Sequence, residues 1–179
     1  MKFAAQFGVV FGLTALALGS AARAEVLDSQ AGGFTTRGSV AIAAPAAKVW
    51  TALGQIGAWW NPVHSYSGDS RNLSIVLKPG GFFLEALPGG GVRHMVVVYA
   101  KPNETLRLEG ALGPLQAFGV AGSLTWRLNE KDGVTTVTQT YDVGGHAPGG
   151  LAAFASPVDA VLGDQANRLK RYVETGKPQ

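Results

Sequence analysis

The strongest constraint in this sequence is a change of period. Over residues 73–143 the apolar residues alternate in short runs divided by Gly, Pro and Asn turns. After a Gly-rich stretch they recur every three or four positions, as Val158, Val161, Leu162, Ala166, Leu169, Tyr172 and Val173. Alternation buries one face of a sheet, and a spacing near 3.6 buries one stripe of a helix. A chain with many strands and one long helix satisfies both by laying the helix on the sheet, which predicts an α+β architecture. Ser156 as a cap, Pro157 at the first helical position, Asp159 where a capping-box acid belongs and Gly176 as a stop predict the helix ends. Its length is roughly 27 Å for about 18 residues.

The remaining elements follow from the same reasoning. Residues 25–33 read as a polar lead-in. Residues 34–44 form a first strand ended by Pro45, which opens a short helix with apolar residues at Val49, Trp50, Leu53 and Ile56. A second turn carries it into Trp59, Trp60, Asn61 and Pro62. Strands are expected at 73–77, 82–87, 92–100, 105–109, 123–128 and 134–143, with 110–122 as an apolar loop or short helix. The chain contains 25 glycines, which predicts a curved antiparallel sheet. A long helix gripped by such a sheet leaves an apolar cavity between them. One domain spans 34–175, followed by a short tail over 176–179.

The N-terminus carries a different signal. Lys2 is the only charge before Arg23, the stretch 3–22 has none, and Gly19-Ser20 precedes Ala22-Arg23-Ala24. A basic start, an apolar stretch and an A-x-A site predict an export signal over residues 1–24, cut after Ala24, and a periplasmic or secreted protein. An uncut membrane anchor is the rival reading. Cleavage removes two basic residues and no acid, so the net charge of +3 falls by two and the case for a nucleic-acid partner disappears. The absence of cysteine excludes a disulfide scaffold, cysteine-zinc sites, iron–sulfur clusters and a lipoprotein anchor.

The order of elements, with the run from Ile42 through Ala43, Ala44, Pro45, Ala46, Ala47, Lys48 and Val49 to Trp50 and the later Trp60-Asn61-Pro62, resembles the START-like helix-grip (SRPBCC) superfamily, nearest to an exported polyketide cyclase/dehydrase-like subgroup. The resemblance covers roughly residues 34–175. It implies a helix-grip fold with a central cavity for an apolar ligand (a lipid, an aromatic or a polyketide-like compound), entered beneath the short helices. It does not separate binders from enzymes, because the superfamily holds both.

Phosphate-loop, zincin and nucleophile-elbow motifs are absent. The anomaly is Glu85, an acid inside an apolar strand. With a two-residue turn at Gly89-Gly90, Glu85 faces His94 across the hairpin. Phe83, Leu87, Val92, Val96 and Val98 share their side, and Arg93 and Lys101 take the other. A buried carboxylate needs a partner, and His94 supplies one. His64 follows the short helices. These three residues admit a ligand-contacting or acid/base role as in a cyclase, dehydratase or hydrolase, a divalent-metal triad, or a structural Glu85–His94 pair with His64 exposed. No other cofactor is expected. Trp59, Trp60, Tyr66, Phe118 and Tyr141 are candidate aromatic walls of the ligand site. Trp50 and Trp126 are read as core, Arg107 and Glu109 as an exposed polar face, and His146 as solvated.

Overall fold

A computed structural model of the chain describes residues 23–179. The export signal therefore lies, up to residue 22, outside the described residues. Among the described residues eight strands form one antiparallel sheet in the order β1-β2-β8-β7-β6-β5-β4-β3. They are β1 (Arg23–Gln30), β2 (Gly33–Ile42), β3 (Leu73–Ile75), β4 (Phe82–Leu87), β5 (Gly90–Lys101), β6 (Thr105–Gly110), β7 (Gly119–Lys131) and β8 (Val134–His146). Helices α1 (Ala46–Gly54) and α2 (Ile56–Trp59) follow β2, and α3 (Ala155–Thr175) closes the chain. The curved sheet holds α3 against its inner face, the helix-grip arrangement. Among the described residues no helix is long and apolar enough to cross a membrane.

The lead-in at 25–33 is a strand. Glu25 pairs with Arg37 and Gln30 with Gly33, so β1 is an edge hairpin partner of β2. Its residues are mostly exposed, which is why no apolar alternation marks it. The 110–122 stretch divides into a 3₁₀ turn at Gly113–Ala117 and the first residues of β7. Helix α3 starts at Ala155, fed by a preceding 3₁₀ turn at Ala152–Phe154. Helical backbone thus already precedes Ser156, whose side chain makes no cap bond, and Asp159 instead meets the backbone of Glu25. Gly176 ends the helix as expected, in the left-handed conformation at φ 78°.

Polar groups fix how α3 sits. The Asn61 amide N–H donates to Gln165 Oε1 at 2.8 Å, Asn61 Nδ2 donates to Asp164 at 2.8 Å, and Arg168 Nε donates to the Trp59 carbonyl at 2.8 Å. Three residues of α3 thereby hold the Trp59–Asn61 corner. At the far end Glu174 accepts from the Ala43 amide and Lys170 donates to the Ala41 carbonyl. Ile42, Val49, Leu53, Ile56, Leu124, Tyr141, Leu162 and Leu169 fill the space between helix and sheet, each 3 % exposed or less.

Candidate functional site

The β4–β5 hairpin sets the chemistry. Its register pairs Leu87 with Gly90, Glu85 with Val92 and Leu84 with Arg93, then shifts so that Phe83 meets Met95. The turn is therefore Pro88-Gly89, with Gly89 at φ 74°, and Glu85 does not stand opposite His94. His94 is the extra residue of a β-bulge, and the bulge reverses the alternation beyond it. His94 and Met95 are consecutive buried residues. Val97 then faces inward, while Val98, expected inside, is 45 % exposed.

The two side chains meet all the same. Glu85 is 1 % exposed, and its Oε2 lies 3.0 Å from His94 Nε2. The Tyr66 amide donates to Oε2 at 3.1 Å and the Ser67 amide to Oε1 at 2.5 Å. Burial pushes this carboxyl up, but bonds from the Ser67 hydroxyl and amide, the Tyr66 amide and the His94 ring outweigh it, holding Glu85 below its ordinary 4.5. Burial lowers His94 below its ordinary 6.5 against the pull of Glu85. The pair is thus a carboxylate and a neutral imidazole at neutral pH. A carboxylate only accepts, so the imidazole proton is assigned to Nε2 and Nδ1 carries the lone pair.

His94 forms part of the wall of a cleft of about 400 Å³ between the sheet and the first half of α3. Trp60, Tyr66, Phe83 and Phe154 supply its aromatic surface, and Leu112, Val158, Val161 and Leu162 its aliphatic surface. Trp60 packs edge-on against Phe83 at 5.7 Å, and Phe83 lies 4.6 Å from the His94 ring. Tyr66 spans the mouth, its hydroxyl donating to the Gly113 carbonyl at 2.8 Å. A larger groove of about 570 Å³ runs over the opposite face of the sheet. It is more open and more polar than the cleft, with Asp28, Thr35, Glu109, Ser123 and Asp142 along it beside Phe34, Val98 and Val143.

Of the expected wall residues, Trp60, His64, Tyr66 and His94 line the cleft. Trp59 is 1 % exposed and core, its indole N–H donating to the Ala52 carbonyl at 2.7 Å. Phe118 stands behind the wall, edge-on to Phe154 at 5.8 Å. Tyr141 is fully buried. Its hydroxyl accepts from the Leu112 amide and donates to the Gly110 carbonyl, and burial pushes it up to about 12. It supports the loop rather than meeting a ligand. His64 is exposed, on the 3₁₀ turn Pro62–His64.

The metal triad does not assemble: among the described residues no group of three or more His, Cys, Asp or Glu side chains is placed to hold an ion. Both oxygens of Glu85 are already taken by amides and His94, and His64 stays at the mouth. Trp50 is half-buried against the core, Trp126 is core, and His146 is exposed. The sequence reading missed Phe154, hidden in a Gly-rich connection, and the apolar start of α3, whose Val158 and Val161 had signalled only packing.

A family model described as polyketide cyclase/dehydrase and lipid transport matches residues 34–174. No curated protein matches the chain. Among solved structures, a conserved protein of unknown function from Enterococcus faecalis is 18 % identical, with 86 % of this chain and 78 % of that one covered at a TM-score of 0.61. CalU16 from Micromonospora echinospora is 15 % identical over 88 % of this chain and 85 % of its own, at 0.57. The Aha1 dimer from Colwellia psychrerythraea is 20 % identical over 80 % and 98 %, at 0.60. These identities show a shared fold.

Proposed function

The chain belongs to the polyketide cyclase/dehydrase and lipid-transport family, and from that premise we propose that it binds an apolar small molecule in the cleft between the sheet and α3. The observation that carries this reading is the cleft itself. Its surface is mostly aromatic and aliphatic, with His94 in its wall and Glu85, which does not itself line the cleft, bonded to His94 behind it, the combination expected of a ligand site. A neutral naphthalene ether such as 1-methoxynaphthalene serves as a probe. It should quench the fluorescence of Trp60 with saturable binding, and Val158→Trp, which fills the cleft, should abolish the effect while leaving the far-ultraviolet spectrum intact. Binding that survives the filled cleft would overturn the reading.

The Glu85–His94 pair supports a second reading, an enzyme on the same cleft of the cyclase, dehydratase or hydrolase type. A neutral imidazole oriented by a carboxylate is a competent general base. His64 takes no part in that pair.

We also propose that residues 1–24 are an export signal and that the mature protein is periplasmic or secreted. Cleavage after Ala24 leaves the β1 pairs from Glu25 to Gln30 intact. It also turns the Glu25 amide, which meets Asp159, into an α-ammonium facing a carboxylate. Intact-mass measurement of the exported protein tests this, with Glu25 expected as the first residue.

A further inference from the structure

The polar groups of the cleft are unevenly spent. Trp60 Nε1 donates to the His64 carbonyl at 2.9 Å, Ser65 Oγ to the Pro62 carbonyl at 2.7 Å, and Tyr66 Oη to Gly113. These side-chain donors of the wall are therefore engaged, and among the described residues no Lys or Arg lines the cleft. His64, at the mouth, is the exception. On the acceptor side the balance reverses. His94 gives its Nε2 proton to Glu85, and its Nδ1 has no protein partner among the described residues. Gln165 Nε2 is the one fully enclosed side-chain polar atom there without a partner, so Nδ1 retains accessible surface, and the cleft is the space that His94 borders.

We propose that the cleft selects a neutral aromatic molecule bearing a hydroxyl group, phenol- or naphthol-like, whose O–H donates to His94 Nδ1, and that it discriminates against anionic amphiphiles such as fatty acids. This deepens, and rests on, the reading of the cleft as an apolar ligand site. The aromatic half of the specificity comes from Trp60, Tyr66, Phe83 and Phe154, whose rings offer faces and edges to a planar ligand. The hydroxyl half comes from His94, because a ligand lacking a donor leaves the imidazole acceptor desolvated and unpaired. The exclusion of anions is electrostatic. A ligand carboxylate would enter a low-dielectric site beside ionised Glu85 with no lysine or arginine to meet it.

The test compares 1-naphthol, 1-methoxynaphthalene and decanoate at pH 7.5 on the full mature chain by calorimetry. Naphthol should bind about 5- to 10-fold more tightly than its ether, the worth of one hydrogen bond, and decanoate more weakly than either. In His94→Phe the naphthol-to-ether ratio should fall to about one. A wild-type measurement makes the test independent of that variant's folding. The ¹⁵N resonance of His94 Nδ1 should shift as a hydrogen-bonded acceptor on saturation with naphthol and not with the ether. Equal affinity for naphthol and ether, an unmoved Nδ1 resonance, or decanoate binding more tightly than naphthol would overturn this inference and leave the apolar cleft standing. Failure of both naphthalenes to bind would overturn the cleft reading and this inference with it.

Discussion

At the scale of single residues, Glu85 serves two structures at once. One carboxylate fixes the His94 tautomer and also ties down the Tyr66 and Ser67 amides, so the same charge positions the polar point and one wall of the cleft. Glu85→Gln turns one of the two oxygens into an NH₂ that faces a backbone N–H, of Tyr66 or of Ser67, and should cost about 1–3 kcal/mol. Urea unfolding measures that loss, and exchange of the Tyr66 and Ser67 amides should quicken with it. Acid should act in two stages. His94 is held below 6.5 in the folded state, so the unfolded chain binds the extra proton first and stability falls as the pH drops through the region of 6.5 and below. Glu85 is held below 4.5, so its contribution is present above that pH and is lost as the pH falls through its lower folded value. Melting curves from pH 8 to pH 4 should show the first stage in the wild type and lack it in His94→Phe.

At the scale of elements, the site is the product of a bulge. A regular hairpin in the observed register would put His94 and Met95 on alternate faces and carry Val98 inward. The inserted residue instead turns both His94 and Met95 into the core. The apolar pattern of 82–87 and the oddity of Glu85 were legible in the sequence, and so was its partnership with His94. The register was not, because Gly89, Gly90 and Gly91 admit several turns and a bulge leaves no local mark. The neighbouring strand does record it. Gly110, opposite Met95, has φ 149°, and a Cβ there would lie 2.6 Å from the His94 carbonyl oxygen. Gly110→Ala should therefore destabilise the fold by about 2 kcal/mol or more and displace His94. Denaturant midpoints and the His94 ring resonances would report both effects. A neutral outcome would mean that the bulge is not locked from β6.

At the scale of the whole molecule, the pattern of period two followed by period 3.6 specifies a sheet gripping a helix, and a cavity follows because a curved sheet and a straight helix do not fill the space between them. That much is legible without coordinates. Which aromatic residues face the cavity is not: Trp59 and Trp60 are neighbours of one type, yet one caps the core and the other lines the cleft, a choice made by the corner that α3 holds through Asp164, Gln165 and Arg168. Besides the apolar cleft under α3, a larger groove with a more polar lining crosses the other face of the sheet. Methyl-resolved NMR during titration with 1-methoxynaphthalene separates them most directly. The account predicts shifts concentrated at Leu112, Val158, Val161 and Leu162, whereas shifts concentrated at Val98, Ala121 and Val143 would contradict it.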